Sequence, residues 1–215
     1  MGLPKGAAGM EIIRSVETIR GKIRITFESS WQVWLRRNED PGFPLTEGTE
    51  VDRESFLSYI RIHQYPPALD RAVRMLAERS CSRREIERKL TLARFDPDVT
   101  DLVLFKLESE NLLNDRDFAI QWVHSRSRKY GASRIRQELR TKGIDEETAS
   151  EILGDLSEED QLRQAVVLAV KKIRSLQSSC EEKKWKQRTM AFLVRRGYSW
   201  DLAQKAFEEA MRQTE

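Results

Sequence analysis

The stretch that decides the fold is SRSRKYGASRIRQELRTKGID, residues 125–145. A degraded copy of this stretch lies on each side of it. Three positions show the correspondence: Leu139, Gly143 and Ile144 match Leu90, Arg94 and Phe95 upstream and Leu193, Gly197 and Tyr198 downstream. Leu90 precedes Leu139 by 49 residues, and Leu193 follows it by 54. Recurrence at such a period is typical of a helical unit that is stacked several times, because one unit alone cannot bury its apolar face.

Each copy predicts a short helix, a tight turn and a second helix. Ile135 and Leu139 are four residues apart and therefore share one helix face. Gly143 stands where the end of a helix favours a left-handed residue, and the acidic run that starts at Asp145 favours the beginning of the next helix. A longer helical pattern precedes each pair. We therefore predict a mainly α protein, a tandem array of three three-helix repeats that forms an elongated curved molecule, with the repeats at residues 67–113, 114–156 and 157–215.

Residues 1–66 are predicted to form a small β-rich extension ahead of the repeats. Apolar residues alternate with mostly charged ones over Ile19–Phe27, and Trp31, Val33 and Leu35 continue the alternation, as in half-buried strands, with Ser29-Ser30 as the hairpin turn. Glu11–Val16 is a candidate third strand, and a short helix is expected near Arg53–Ile62.

Pro66-Pro67 marks the predicted boundary between this extension and the repeats. We therefore expect the chain from Pro67 onwards to fold without residues 1–66. The alternative is that Ile23–Leu35 packs on the first repeat, since Trp31 and Trp34 face opposite sides of a strand and one of them needs a neighbour to cover it.

Composition restricts the class of protein. Of 215 residues, 39% are hydrophobic and 34% charged, and no apolar run approaches the roughly 20 residues that span a bilayer. The N-terminus lacks the apolar core of a signal peptide. Cys81 and Cys180 are the only cysteines, so free thiols are expected rather than a disulfide framework. These features predict a cytoplasmic protein without membrane contact. We also expect a monomer, although composition does not determine the oligomeric state.

Charge is strongly segregated although the net charge is only +3. Arg126–Lys142 contains seven basic residues and one acid, whereas Asp145–Asp160 contains eight acids and no base. The basic tract indicates a partner that carries phosphates or an acidic surface, and the alternative is a solvated helix face. The candidate binding residues are Arg83, Arg84, Arg88, Lys89, Arg126, Arg128, Lys129, Tyr130, Arg134, Arg136, Arg140 and Lys142.

No catalytic or cofactor site is predicted. His63 and His124 are far apart in the chain and have no ligand at metal-binding spacing, and no phosphate-binding glycine loop is present. Asp115 and Asp117 are better explained by helix capping than by a metal. Cys81 lacks a nearby histidine that would activate it. The five tryptophans lie at positions that favour core packing over base stacking.

The repeats resemble the bacterial RecX family of recombination regulators. The resemblance is carried by Ser82–Ile86 with Lys89-Leu90, by Leu107–Asp115 with Phe118-Ala119, and most densely by Ser125–Ile144. It covers about residues 67–210, and it is weaker in the third repeat, where Thr189 and Met190 depart from the usual pattern.

The resemblance implies a non-enzymatic modulator of RecA in DNA repair, the SOS response and homologous recombination. Such a protein binds the groove of the RecA–DNA filament and blocks ATP hydrolysis, strand exchange and co-protease function. The implied partners are the RecA filament and single- or double-stranded DNA, with no cofactor. Two alternatives stay open, a direct DNA-binding protein built from tri-helical repeats and an adaptor that docks another protein.

Overall fold

The computed structural model describes residues 9–37, 39–177, 181 and 184–214. Four strands come first, namely β1 (Met10–Ile19), β2 (Lys22–Phe27), β3 (Gln32–Arg36) and β4 (Glu50–Asp52). Nine helices follow in this described part: α1 (Arg53–Glu78), α2 (Arg83–Leu92), α3 (Pro97–Ser109), α4 (Asp115–Arg126), α5 (Ala132–Thr141), α6 (Glu146–Gly154), α7 (Glu158–Gln177), α8 (Trp185–Arg195) and α9 (Trp200–Arg212). The mainly α fold class with an N-terminal β element is confirmed. The chain divides into two compact units, residues 1–113 and 114–215.

The strands form one antiparallel sheet in the order β3-β2-β1-β4. The predicted strand at Glu11–Val16 lies within β1, and the predicted turn at Ser29-Ser30 connects β2 to β3. The strand predicted over Ile19–Phe27 is wrong at its start, because Ile19 ends β1. Arg20 and Gly21, which lie between β1 and β2, both have positive φ, 50° and 78°, and this is the geometry of a tight hairpin turn.

Helix α1 continues through Pro66 and Pro67, so the prediction of a short helix near Arg53–Ile62 is wrong, and the two prolines do not interrupt the helix. Its buried residues recur every four positions on both sides of the prolines: Phe56, Ile60, Gln64, Ala68 and Ala72. This stripe packs along its whole length, and the packing keeps the helix continuous where two missing N–H groups would otherwise favour a break.

The sheet and the first repeat share a single hydrophobic core. Buried residues from β1, β2 and β3, such as Phe27, lie in one cluster with those of α1, α2 and α3, such as Leu90. Gln64 connects the parts, because its Nε2 donates to Trp34 O at 2.7 Å and its Oε1 accepts from Asp96 N at 2.9 Å. The β element is therefore part of the first unit, as the alternative expected, and the independent fold from Pro67 is not supported.

The register of the three copies is confirmed at their turns. Each aligned leucine accepts a backbone hydrogen bond from the residue five positions later, a bond that closes a helix C-terminus. These bonds run from Phe95 N to Leu90 O (3.2 Å), from Ile144 N to Leu139 O (3.1 Å) and from Tyr198 N to Leu193 O (3.3 Å). The residue before each donor is left-handed, with φ of 63° at Arg94, 88° at Gly143 and 89° at Gly197.

Repeats two and three touch through their backbones. Gly131 N donates to Arg196 O at 2.9 Å, and Ser133 N donates to Gly197 O at 3.2 Å. Gly131 is the N-cap of α5 and supplies no side-chain cap, so the turn of the third repeat satisfies one of the open N–H groups of this helix. A Cβ atom added to Gly131 would lie 2.5 Å from Tyr198 N, and therefore only glycine allows this approach.

Within the described ranges, no helix is long and apolar enough to cross a membrane. Cys81 is buried, with its Sγ 3.5 Å from Arg79 O, whereas Cys180 lies outside the described residues.

Candidate interaction surface

The basic tract of the second repeat is organised around one carboxylate, that of Glu138 on α5. Its side chain is only 15% exposed, and it accepts hydrogen bonds from Arg126 Nε at 2.9 Å and from Trp122 Nε1 at 3.1 Å. Arg134, one turn earlier on the same helix, approaches it to 3.4 Å. One acid therefore fixes two of the predicted cations and a tryptophan, while the tract keeps its excess of positive charge.

Cations and aromatic rings alternate across repeats two and three. Neighbouring members lie 4.5–5.8 Å apart, from guanidinium carbon or ammonium nitrogen to ring centroid. We call this set the cation–aromatic strip; in order, it contains Lys142, Trp122, Arg126, Tyr130, Arg196, Phe192 and Lys172. All seven side chains are half-buried. A cation held over a ring gains roughly 0.5–1 kcal/mol at an exposed site, so these charges are held in position before any partner arrives.

The backbone contact at Gly131 and Gly197 positions the strip across the two repeats. Arg196, which precedes Gly197, donates from Nη1 to Lys129 O at 3.0 Å and lies over the rings of Tyr130 and Phe192. The strip therefore depends on the same turn that caps α5.

Trp122 is engaged inside its own repeat. Phe118 stacks on it with ring centroids 5.6 Å apart, and two cations of the strip lie 4.7 Å from its centroid. Trp122 is partly buried and packs against the core of its repeat, as expected of core packing. Trp200 departs from that expectation, because it is 62% exposed.

The remaining predicted cations of the second repeat are exposed. Arg128 and Lys129 lie in the turn between α4 and α5, and Arg140 lies on α5 away from the buried Ile135–Leu139 face. Arg136 pairs with Glu146 of α6 at 3.4 Å. This partner comes from the next helix, so the spacing of residues within α5 does not reveal it.

The four predicted cations of the first repeat do not lie in one cluster. Arg83 pairs with Glu108 at 2.9 Å, while Arg84 and Arg88 are exposed on α2. Lys89 instead lines a cleft with four cations that sequence reasoning missed: Arg20, Lys22, Arg71 and Arg94. One signal was available, since Arg94 stands where the other two copies have glycine.

The residues considered above as catalytic or metal-binding candidates have structural roles. Asn114 caps α4, because its Oδ1 accepts from the backbone N–H groups of Arg116 and Asp117; Asp115 and Asp117 themselves lie in the first turn of the helix and are not its cap. His63 stacks on Tyr59 and hydrogen-bonds its carbonyl oxygen. In the described part of the chain, no group of three or more His, Cys, Asp or Glu residues is arranged to hold a metal ion.

Two shifted pKa values reflect folding rather than catalysis. Burial raises the pKa of the Tyr198 hydroxyl to about 12, with Arg196 opposing the shift, and this hydroxyl has no hydrogen-bond partner among the described residues. Hydrogen bonds from the backbone and side chain of Thr148 hold the pKa of Asp145 below its usual value, as expected of a carboxylate that caps α6.

Comparison with known proteins agrees with this architecture. Three family models match in order, the first, second and third three-helix domains of RecX, at residues 68–107, 114–153 and 158–207. A Regulatory protein RecX from Amycolatopsis mediterranei is 33% identical over 152 residues, which are 70% of this chain and 86% of that protein. One from Bacillus subtilis is 32% identical over 169 residues, 78% of this chain and 64% of that protein. A crystal structure of regulatory protein RecX superposes with a TM-score of 0.64 at 23% identity, covering 93% of this chain and 99% of that one, and this likeness concerns the fold.

Proposed function

Because the chain belongs to the RecX family of regulatory proteins, we propose that it is a non-enzymatic modulator of RecA. In this proposal it acts in the cytoplasm as a monomer, binds the groove of the RecA–DNA filament and inhibits ATP hydrolysis, strand exchange and co-protease activity. Its setting is DNA repair, the SOS response and homologous recombination.

The observation that carries the proposal is the cation–aromatic strip. It contains four cations, two from the second repeat and two from the third, and Glu138 is the carboxylate that binds one of them. Cations that are already ordered lose little conformational entropy on binding, so they suit recognition of fixed anions. A protein–DNA filament offers such anions as phosphates and as acidic side chains.

The acidic residues beside the basic tract favour a mixed partner over bare DNA. Glu146 lies 3.4 Å from Arg136, and Glu151 forms a bidentate pair with Arg116 at 2.5 and 2.6 Å. Carboxylates repel phosphates but can pair with the basic residues of a protein. A surface that alternates both charges therefore suits a filament in which protein and nucleic acid are exposed together.

The test is the ATPase of RecA on single-stranded DNA, with this protein titrated in. We expect inhibition below equimolar protein, because a ligand that lies along a filament affects more subunits than it touches. Unchanged hydrolysis at equimolar protein would reject the proposal and favour the direct DNA-binding alternative.

Matched variants relate the strip to the effect. Lys142→Ala with Lys172→Ala removes the cations at the two ends of the strip and should raise the concentration needed for half inhibition. The control, Arg163→Ala with Lys205→Ala, removes the same charge from exposed pairs on α7 and α9 and should leave inhibition unchanged. Equal loss in both variants would show that net charge matters and the strip does not.

A further inference from the structure

A cleft in the first unit concentrates positive charge. It has a volume of about 750 Å³ and lies where strands β2 and β3 meet helices α1 and α2. Among the described residues, no carboxylate lines it and five cations do: Arg20, Lys22, Arg71, Lys89 and Arg94. We call it the cationic cleft. The sheet supplies Lys22 and the turn before it supplies Arg20, so the site is incomplete without the β element.

Lys22 shows how closely these charges approach one another. Its ammonium donates a hydrogen bond to Ala93 O at the end of α2 and lies 5.9 Å from the Phe95 ring. Burial lowers the pKa of Lys22, and repulsion by Arg36 and Arg71 lowers it further; attraction by Glu39 opposes this shift, and Arg94 adds a smaller repulsion. A bound anion would relieve this repulsion.

Arg94 provides an independent sign of function. It has a φ of 63°, a left-handed conformation that costs an arginine free energy and a glycine nothing, and the equivalent residues are Gly143 and Gly197. Its guanidinium lies 4.7 Å from the ring centroid of Trp34 on β3. The first repeat thus has an arginine in a backbone conformation that favours glycine, and the side chain of this arginine lines the cleft.

The positive charges of the cleft are little neutralised by carboxylates of the protein itself. Within the described residues, Arg20, Arg71, Lys89 and Arg94 form no salt bridge, whereas cations elsewhere in this unit, such as Arg83, do. Concentrated like charge opposes folding, and an anionic partner would offset that cost.

The density of charge points to a nucleic acid. A DNA strand carries one negative charge per about 3.4 Å of helix axis. An extended peptide rises about 3.3–3.6 Å per residue, so it matches that density only if nearly every residue is acidic. Three of the five cations are arginines, whose planar guanidinium can bind phosphate through two N–H groups.

We propose that the cationic cleft, formed jointly by the sheet and the first repeat, binds the phosphodiester backbone of DNA without regard to base sequence. The site goes beyond the proposed function, because it acts on DNA alone and needs no RecA. It also gives the β element a binding role, since that element provides two of the five cations.

The test is fluorescence anisotropy of the full chain with a labelled oligothymidine strand in a salt series, without RecA. The variants are Arg71→Ala and Arg94→Gly, and Arg94→Gly should fold well because it restores the glycine of the other turns. Each lost contact should lower the slope of log affinity against log salt by about 0.7, which is about 5-fold in affinity at about 0.1 M salt. Arg14→Ala is the control, because Arg14 is exposed on β1 outside the cleft.

Wild-type affinity and salt slope in both cleft variants would overturn the proposal. So would displacement of the oligonucleotide by polyglutamate at an equal concentration of charge, which would indicate an acidic protein surface as the partner. Equal affinity for oligothymidine and for a strand of mixed sequence is the expected result. The assay contains no RecA, so failure of the ATPase test and failure of this one are distinguishable.

Discussion

Replacing Gly131 by alanine should destabilise the second unit without changing its charge or its exposed surface. The backbone of Gly131 has an ordinary φ of −79°, so alanine is not strained there by conformation. The new methyl carbon would, however, lie 2.5 Å from both Gly197 C and Tyr198 N, and backbone atoms cannot move aside as a flexible side chain does. Overpacking of this kind costs about 1–3 kcal/mol.

Alanine substitutions at two further glycines distinguish the steric clash from the cost of a left-handed backbone conformation. Gly48 has a φ of 83° and open space around a new Cβ, so Gly48→Ala carries only the left-handed penalty of about 1 kcal/mol. Gly197 has a φ of 89°, and its added Cβ would lie 2.9 Å from Arg134 Cα. Gly197→Ala combines both effects and should cost about 2–4 kcal/mol.

Hydrogen exchange of the full chain, read by mass spectrometry, measures these effects locally. Peptides from residues 126–141 and 190–200 should exchange about 10-fold faster for each 1.4 kcal/mol lost. Peptides from residues 9–113 serve as the internal reference for Gly131→Ala and Gly197→Ala. Wild-type exchange of residues 126–141 in the Gly131→Ala protein would refute the backbone contact between repeats two and three.

Three other predictions concern stability. Leu139→Ala should lower the free energy of unfolding in urea by roughly 2–5 kcal/mol, because Leu139 is fully buried. Leu92→Ala is the control and should cost far less, because Leu92 is 66% exposed. Equal effects would contradict the repeat register. Since the pKa of Tyr198 is raised from 10.0 to about 12, the folded state holds this proton more tightly than the unfolded state, so stability should fall as the pH rises between those values. Tyr198→Phe should lessen that fall when unfolding is measured over an alkaline pH series. An unchanged curve in the variant would argue against a role of Tyr198 in the fall. A chain that starts at Pro67 should lose more helicity by circular dichroism than the deleted residues account for, because it lacks half of α1 and the sheet core; full retention of helicity in the remainder would show that the first repeat folds alone.

Local signals in the sequence were enough to predict the repeats. Ile135 and Leu139 with Gly143 carry the helix face and the turn within nine residues, and the same pattern recurs twice, so the alignment of Leu90, Leu139 and Leu193 follows from spacing alone. The turn at Ser29-Ser30 was likewise predictable from its neighbours.

The course of α1 could not be read locally. Pro66-Pro67 favours a break on its own, and the helix continues only because Phe56 and Ile60 on one side and Ala68 and Ala72 on the other pack into the same core. That core includes sheet residues far away in the chain, which no window of sequence around the prolines contains.

The candidate surface was predictable in composition but not in arrangement. The basic tract itself is visible in the sequence, yet its bonds to Glu138 and its alternation with Tyr130 and Phe192 depend on contacts between helices and between repeats. The cationic cleft was missed because residues 1–66 are balanced in charge, and only folding brings Lys22 beside Arg71.

The shared core of the first unit also has a consequence for synthesis on the ribosome. Phe27 and Phe56 are translated early, but their cluster is completed by residues as late as Leu113. Because a nascent chain grows by about 5–20 residues per second, the segment from Phe56 to Leu113 takes several seconds to make, and the core of the first unit is complete only after that time. During that time the unfinished core exposes apolar surface, which is the kind of surface that chaperones bind.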